Sequence, residues 1–362
     1  MPKTKTSDPK MRIDRVLLVL ILILVLSSSI SCCLKAKKEY TPKETIQVKK
    51  IVDDFGYTVV VKGYPKRIVS LSPATTEILF ALGLGDKVVG VTDQCNYPPE
   101  VLEMKKNGSL VSVGGYSSIN VEKVISLNPD LVIASYGNGI KCVEAIKSFG
   151  IPVVCLNPKN ISGIIRDIEI LGEITGSLDE AKELEKFIIK EVQEVKRRIK
   201  LTKHRPTVAH VIWYNPIWVS GRDTFVDEII QIAGGQNAFN KSGWFSVSLE
   251  EFVSANPDII IVNSGTGMNK SGKNIIYEWL MSEEILKSVK AIKNKKVYVI
   301  DADIISRPSY RLVYALKQIA RYIHPEVFEE KENLTNFTRS SYYNLSNSSM
   351  FWSNNFATTH AY

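Results

Sequence analysis

The sequence contains one motif twice, once in each half of the chain. The first copy reads INVEKVISLNPDLVIA from Ile119, and the second reads VSLEEFVSANPDIIIV from Val247. Each copy combines a helix-capping residue, a short helical stretch with a Glu in its first turn, an Asn-Pro-Asp turn and an apolar run typical of a buried strand. The repeat therefore predicts two lobes of similar construction.

Apolar strand-like runs alternate with amphipathic stretches along most of the chain. The runs are RIVSL, VVGVT, LVIAS and PVVCL in the first half, and TVAHVIW, DIIIVN and KVYVID in the second. This alternation predicts an α/β fold with two Rossmann-like lobes and mainly parallel sheets. A chain of 362 residues, 44% of them hydrophobic, is long enough to form a core in each lobe.

A long segment without Gly or Pro, Ser177 to Thr202, separates the two halves. Its apolar residues recur at helical spacing, its first turn is acidic and its last turns are basic, which suits the helix dipole. We expect one long rigid helix that joins the lobes. The predicted divisions are 51–176 for the N-terminal lobe, 177–202 for the interlobe helix, 203–330 for the C-terminal lobe and 331–362 for an Asn/Ser/Thr-rich tail.

The N-terminus has the pattern of an export signal. The apolar run Val16 to Leu26 follows basic residues and precedes the small residues SSSISCC. The stretch Ser28 to Cys32 resembles the lipobox at which exported prolipoproteins are cut and lipidated. We therefore predict a lipoprotein signal at 1–32, lipidation of Cys32 and a polar linker at 33–50. An uncleaved membrane anchor and simple secretion are the alternatives, and all three place the body outside the cytoplasmic membrane.

The net charge of the chain is +8. Part of this charge comes from Lys and Arg residues that flank the N-terminal apolar run on both sides. Such clustering indicates a membrane surface as the partner, and no nucleic acid is expected.

Besides Cys32 and Cys33, the sequence contains three cysteines, Cys95, Cys142 and Cys155. They have no C-x-x-C spacing and no nearby histidine pair, so no zinc or redox motif is predicted. Buried small side chains are the favoured interpretation, and one disulfide among the three stays open.

The repeat places one glutamate in each lobe at the same position, Glu122 and Glu250. Asn120 and Ser248 are predicted N-caps, so each glutamate falls in the first helical turn. One interpretation is compensation of the helix dipole, worth about 0.3–1 kcal/mol each. The other is a symmetric pair of acidic contacts for a partner that carries arginines.

Taken together, these segments resemble the Fe/B12-type solute-binding proteins of ABC importers, the class with a rigid interlobe helix (class III). The resemblance extends from about Ile51 to Phe328. It rests on KRIVSLSPATTEILFALGLGDKVVGVT, CNYPPEV, NVEKVISLNPDLVIA, SGRDTFVDEIIQIAGGQNAF and SLEEFVSANPDIIIV. Within the family the sequence is most like the vitamin B12-binding members, whose pattern includes the YPPE turn.

The resemblance implies a non-enzymatic protein that binds a ligand in the cleft between its lobes. It implies no intrinsic cofactor and a transported cobalt or iron chelate, either cobalamin or another corrinoid, or a ferric siderophore. The partners implied are an ABC permease dimer with its cytoplasmic ATPase, and the outer face of the cytoplasmic membrane through the lipid anchor. In this family the glutamates that correspond to Glu122 and Glu250 dock into arginine pockets on the two permease subunits.

Position by position, the resemblance suggests ligand contacts from both lobes. These are Tyr97, Tyr116, Trp218, Trp244, Asp303 and Arg307. The sequence has Tyr116 where the B12-binding members have Trp, and Gln94 where they have Tyr, so the ligand can differ. Arg222, Arg307 and Arg311 are candidates for pairing with an anionic chelate, with solvated arginines as the alternative.

The stretch SLSPATTEIL follows the first predicted strand of the first lobe. Ser72 lies at the N-cap position and Pro73 at the first helical position, which predicts a helix start rather than a catalytic loop. Because this corner ends a strand, Ser72 and Pro73 are expected in the cleft wall near the ligand. Glu77 is expected to be an ordinary helix carboxylate.

Three alternatives stay open. A haem or metal-ion receptor of the same architecture is the nearest, although only His204, His210, His324 and His360 are available for an imidazole cluster. A surface adhesion or structural lipoprotein is another. The third is an enzyme, suggested by GMNKSGKN from Gly267, but Asn274 stands where a P-loop has Ser or Thr.

Overall fold

The structure, a computed structural model, describes residues 47–264 and 272–328. The predicted lipoprotein signal with Cys32, most of the predicted linker and the tail from residue 329 lie outside the described residues. Within the described part of the chain, no helix is both long and apolar enough to cross a membrane.

Strands and helices alternate through both halves of the described chain. In chain order the strands are β1 (Val48–Val52), β2 (Thr58–Lys62), β3 (Ile68–Ser70), β4 (Val88–Val91), β5 (Val111–Ser112), β6 (Gly114–Gly115), β7 (Ser118–Ile119), β8 (Leu131–Ser135), β9 (Val153–Leu156), β10 (Thr207–Tyr214), β11 (Ile217–Ser220), β12 (Gln236–Asn237), β13 (Trp244–Val247), β14 (Ile259–Asn263) and β15 (Val297–Ile300).

The α-helices cover the sheets and connect their strands. In chain order they are α1 (Pro73–Ala81), α2 (Pro99–Lys106), α3 (Val121–Ser126), α4 (Ile140–Lys147), α5 (Ile161–Thr175), α6 (Leu178–Ile199), α7 (Phe225–Ile232), α8 (Leu249–Ala255), α9 (Ile275–Ser282), α10 (Lys290–Lys293), α11 (Ala302–Ile305), α12 (Leu312–Ile323) and α13 (Pro325–Phe328).

Two larger sheets organise the molecule. The first has the strand order β5-β4-β3-β8-β9, and its neighbouring strands are parallel. The second has the order β13-β11-β10-β14-β15, with β12 beside β10. In this sheet β12 and β14 are parallel to β10, and β15 is parallel to β14. By contrast, β11 is antiparallel to β10, and β13 is antiparallel to β11. The predicted α/β class with mainly parallel sheets is confirmed.

The Asn-Pro-Asp turns of the repeat occupy equivalent places in the two sheets. An Asp130 oxygen accepts a hydrogen bond from the Arg67 amide at 3.0 Å, just before β3. Likewise, an Asp258 oxygen accepts from the Thr207 amide at 2.9 Å, where β10 begins. Each aspartate thus ties its own strand, β8 or β14, to the start of the neighbouring strand in its sheet. The repeated sequence therefore corresponds to repeated structure.

Helix α6 runs without interruption from Leu178 to Ile199, with Ser177 as its N-cap residue. Its buried residues form one stripe at helical spacing: Ala181, Leu184, Ile188, Val192, Val195 and Ile199. This stripe belongs to a core cluster that also contains Ile68 of the first sheet and Val208 of the second. Because the helix is packed into the core along its length, it behaves as a rigid strut.

Cys95, Cys142 and Cys155 are free thiols in the structure. Cys95 and Cys155 are buried, and Cys142 is half-buried. The interpretation of these cysteines as buried small residues is confirmed for Cys95 and Cys155. Burial, followed by the neighbouring Asp53, raises the pKa of the Cys155 thiol to about 12, which makes it a poor nucleophile.

Candidate ligand-binding cleft

A cavity of about 490 Å³ lies between the half of the chain that contains the first sheet and the half that contains the second. Its N-terminal side includes Ser72, Tyr116, Ser135, Tyr136, Asn157 and Asp167. Its C-terminal side includes Asp223, Phe225, Gly243, Trp244, Ser306 and Pro308. This volume falls within the range of small-molecule sites, and the lining combines aromatic rings with a few polar groups, as such sites do.

Strand ends supply much of the N-terminal wall. Ser72 follows β3, and Asn157 follows β9. Ser135 is the last residue of β8, and Tyr136 comes directly after it. Because β3, β8 and β9 are parallel neighbours, their carboxyl ends meet at one edge of the sheet. Ligands of open α/β sheets bind at this edge.

Tyr116 is held in the cleft wall by a small hydrogen-bond network. The Ser135 hydroxyl donates to the Tyr116 phenol oxygen at 2.8 Å. The buried Asn138 side chain donates to the carbonyls of Tyr116 and Leu71, both at 2.8 Å. Gly137 leaves room for the ring, since a Cβ there would lie 2.1 Å from a ring carbon of Tyr116. The sequence YGN after β8 therefore fixes the position of Tyr116.

Trp244 is the first residue of β13 and lies on the opposite wall, in contact with Phe225. The rings of Phe225 and Trp244 are 5.4 Å apart between centroids, in a tilted arrangement. The Gly221 amide donates to the Gly243 carbonyl at 2.9 Å, which pulls two loops together beside the tryptophan. A Cβ at Gly221 would lie 2.0 Å from the Lys241 carbonyl, so this approach requires glycine.

A buried polar chain leads from β11 to the cavity. The imidazole of His210 contacts the Ser220 hydroxyl at 3.1 Å and the Asn263 side-chain oxygen at 2.8 Å. The Asn263 amide then donates to the hydroxyl of Ser306, which lines the cavity. Burial lowers the pKa of His210 to about 4, so the ring is neutral at physiological pH. This network orients the side chain of Ser306 at the cavity wall, and the neutral His210 ring adds no charge there.

An acidic pair lies on the N-terminal side of the cavity. Asp167 of α5 is 1% exposed, lines the cavity and lies close to the Asp54 carboxyl. Asp54 is in turn paired with Arg166 and accepts from the Asn157 amide at 2.6 Å. Burial, and then the charge of Asp54, raise the pKa of Asp167 to about 8. Asp167 is therefore mostly protonated at neutral pH.

Glu77 joins the two halves of the chain, so the expectation of an ordinary helix carboxylate is wrong. Its Oε1 accepts from Arg307 Nη1 at 2.9 Å and from Arg311 Nη1 at 2.8 Å. The Ser309 hydroxyl donates to Oε2. The glutamate side chain is fully buried and both arginines are nearly so. Burial raises the pKa of Glu77, and Arg311 and Arg307 oppose that rise.

The same cluster engages several predicted ligand contacts. Arg307 also donates to Asp303 at 2.6 Å and to the Asn96 side-chain oxygen at 2.7 Å, and Asn96 donates to Asp303 at 2.7 Å. The Arg311 guanidinium carbon lies 3.7 Å from the centroid of the Tyr97 ring. These side chains bind one another across the two halves of the chain. Of the arginines considered for an anionic ligand, Arg307 and Arg311 are thus bound to Glu77.

The structure brings only some of the predicted site residues to the cavity. Ser72, Tyr116 and Trp244 line it. Pro73, Tyr97, Trp218, Asp303 and Arg307 are not among its lining residues, and their roles in binding stay predictions. Trp218 and Trp244 have nearly equal exposure, 39% and 40%, but only Trp244 reaches the cavity.

Sequence reasoning missed other lining residues, notably Tyr136, Asn157, Asp167, Asp223 and Phe225. Tyr136 and Asn157 carried a usable signal, because each directly follows a strand that was recognised in the sequence. The sequence around Asp167 gives no signal of a binding site, since this residue lies inside an amphipathic helix.

Glu122 and Glu250 lie exposed in the first turns of α3 and α8. The predicted caps are present: the Asn120 side chain accepts from the Lys123 amide, and Ser248 accepts from the Glu251 amide. Neither glutamate forms a salt bridge with a residue that the structure describes. The backbone amide of Glu250, and then Ser248, lower the pKa of Glu250, which keeps this exposed side chain anionic.

The described residues contain no group of three or more His, Cys, Asp or Glu side chains arranged to hold a metal ion. Residues 267–271 of the P-loop-like segment, which spans 267–274, lie outside the described part of the chain. Its last residue, Asn274, caps α9 by accepting from the Tyr277 amide at 2.9 Å.

Comparisons with known proteins agree with this architecture. The family model for periplasmic binding proteins matches residues 68–304. The ABC transporter substrate-binding lipoprotein YvrC of Bacillus subtilis (strain 168) is 33% identical over 304 residues, which cover 81% of this chain and 92% of that protein. The chain therefore belongs to the periplasmic binding protein family.

Two solved structures are similar over nearly their whole length. The vitamin B12-binding protein BtuF of Vibrio cholerae is 25% identical, with a TM-score of 0.62 and coverage of 74% of this chain and 99% of that one. The haem-binding protein RhuT from Roseiflexus sp. RS-1, in apo form, is 25% identical, with a TM-score of 0.63 and coverage of 72% of this chain and 99% of that one.

These findings confirm the resemblance to Fe/B12-type solute-binding proteins and the class III fold. Members of this family are transport components rather than enzymes.

Proposed function

We propose that this protein is the extracytoplasmic, lipid-anchored receptor of an ABC importer, and that it captures a cobalt or iron chelate in its cleft. The observation that carries the proposal is the cavity whose walls present Tyr116 and Tyr136 on one side and Phe225 and Trp244 on the other. Aromatic rings facing one another across a cleft suit a large, flat, partly apolar ligand, and they lose little entropy on binding.

Two ligand classes are candidates for this cleft. A corrinoid or a ferric siderophore is supported by the overall likeness to the vitamin B12-binding protein of Vibrio cholerae. Haem is the second candidate, favoured by Tyr136, which lines the cavity and is 68% exposed. A tyrosine phenol oxygen can serve as the axial ligand of haem iron.

Delivery to the permease is the second part of the proposal. Glu122 and Glu250 stand at equivalent positions of the repeat, and both are exposed at helix starts. Exposed carboxylates without a salt-bridge partner among the described residues are available to pair with arginines of a partner. We assign one glutamate to each subunit of a permease dimer, with Cys32 as the lipid attachment that keeps the protein on the outer face of the cytoplasmic membrane.

The proposal is tested by absorbance titration of the purified protein with cyanocobalamin, cobinamide, haemin and a ferric siderophore. We expect saturable one-to-one binding of at least one of them with a Kd of about 1 μM or less, and a spectral change for haemin only if an axial ligand is present. If none of the four binds, the proposed ligand class is wrong. Metal-free ligands serve as controls for the contribution of the metal.

A further inference from the structure

The carboxyl of Asp167 is placed in the cleft in an unusual way. It is 1% exposed, yet it is part of the cavity lining beside Asn157 and Tyr136. Its Oδ1 is buried and receives no hydrogen bond from any described donor. A buried polar atom without a partner costs free energy, so its retention at a cavity wall calls for an explanation.

The neighbouring charges determine which form this carboxyl takes. Asp54 faces it from the turn between β1 and β2, and Arg166 of α5 binds Asp54. Arg166 and the Asn157 amide both bind Asp54, whereas burial and then the charge of Asp54 raise the pKa of Asp167, so Asp167 is the carboxyl that carries a proton at neutral pH. Lys159 and Asp223 also line the cavity, and the Lys159 ammonium donates to the Asn157 side chain at 3.0 Å.

A protonated Asp167 that donates to Asp54 retains one carboxyl oxygen as a hydrogen-bond acceptor. We propose that Asp167 is a ligand-binding residue, which presents this oxygen to the cavity and accepts a hydrogen bond from an N–H or O–H group of the bound chelate. The inference rests on the proposed function and narrows it, since the ligand must carry a donor, such as an amide side group, on the face that meets α5. The neutral state avoids a second negative charge beside Asp54.

The test compares two substitutions at this position with cyanocobalamin, which carries amide donors, as the probe. Asp167→Ala removes the acceptor, and we expect its Kd to rise about 3- to 10-fold, the effect of one neutral hydrogen bond. Asp167→Asn keeps the geometry of a neutral carboxyl, since its amide donates to Asp54 and its oxygen accepts from the ligand. We expect this conservative variant to recover most of the lost affinity.

Asp227 provides a matched control. It is also a buried helical aspartate whose Oδ1 has no hydrogen-bond partner in the described part of the chain, but it does not line the cavity. Asp227→Ala is expected to leave the Kd unchanged. Each variant is first checked for its thermal unfolding transition, and where the Ala variant does not fold, Asp167→Ser replaces it.

The outcomes separate this inference from the proposed function. If the wild-type protein binds cyanocobalamin and Asp167→Ala binds equally well, the role of Asp167 is overturned while the function stands. If Ala and Asn variants lose affinity equally, the site requires a charged carboxylate, and the neutral acceptor is overturned. If the wild-type protein binds no member of the four-ligand panel, the function fails and this inference fails with it.

Discussion

Arg307 Nη1 lies 2.9 Å from Oε1 of Glu77, although the two residues belong to opposite ends of the described chain. Glu77 is in the helix that follows the first strand of the first sheet, whereas Arg307 lies beyond the last strand of the second. With Arg311 and Ser309, they form a buried ionic cluster that ties the two halves together. Together with the packed strut α6, this cluster opposes wide opening of the cleft, so we expect ligand capture with small lobe motion.

Removal of the Glu77 charge should destabilise the protein strongly. Glu77→Gln removes the buried carboxylate charge that Arg307 and Arg311 share, although Arg307 keeps Asp303, and breaking such a cluster costs about 3–5 kcal/mol. Urea unfolding of the variant and the wild-type protein measures the difference. Glu183→Gln is the control, because the Glu183–Lys186 pair is exposed on α6 and should contribute less than about 1 kcal/mol. Equal effects of the two substitutions would contradict a stabilising role for the buried cluster.

Stability should decrease in weak acid because of His210. Its pKa is about 4 in the folded protein and 6.5 ordinarily, so between these values the unfolded chain binds the proton and the folded protein does not. The stabilisation is complete above pH 6.5 and is lost as the pH falls towards 4, by up to about 3 kcal/mol. Unfolding free energies at pH 4.5 and pH 7 should differ less in His210→Gln than in the wild type. His204→Gln, at an exposed position, should match the wild type.

Asp167 should have the opposite pH dependence. Its pKa is raised from 3.8 to about 8, so the folded protein holds a proton that the unfolded chain releases in this window. Stability is therefore lost as the pH rises from 4 to 8. Asp167→Asn removes this loss and should be more stable than the wild type at pH 8 by about 1 kcal/mol or more. No gain at pH 8 relative to pH 4 would show that Asp167 titrates normally.

The docking glutamates should affect transport without affecting ligand binding. The double substitution Glu122→Arg and Glu250→Arg replaces attraction to permease arginines by repulsion, and we expect uptake to fall at least 10-fold. The Kd of the purified variant should stay within about twofold of the wild-type value. Glu144→Arg, on the exposed surface of α4, controls for net charge. Unchanged uptake by the double variant with normal ligand binding would disprove the docking assignment.

Much of the fold could be predicted from the sequence because it depends on local patterns. The apolar runs that form β3, β8, β10 and β14 are nearly continuous, as is typical of buried parallel strands, and α6 has the expected charge pattern and buried stripe. The Asn-Pro-Asp repeat also predicted equivalent surroundings for Asp130 and Asp258. The antiparallel strands β11 and β13 are not among the predicted runs, since each has only four residues and includes an exposed tryptophan.

The candidate site was less predictable because it depends on long-range contacts. Glu77 looks like a solvated helix residue until Arg307 and Arg311, more than two hundred residues later, are brought against it. Asp167 has no local signal for the same reason, since Asp54 and the cavity are supplied by distant segments. Ser72 and Tyr136, by contrast, follow strands, and the position of strand ends is a general property of parallel sheets.

The central claim, that the aromatic cleft captures a metal chelate, is tested most directly by comparing two tryptophans of equal exposure. In absorbance titrations with cyanocobalamin, cobinamide, haemin and a ferric siderophore, the wild-type protein should bind at least one ligand with one-to-one stoichiometry. Trp244→Ala should raise that Kd at least 10-fold, and Trp218→Ala, outside the cavity lining, should have a clearly smaller effect. Binding that is unaffected by Trp244→Ala, or no binding of any of the four ligands, would contradict the account.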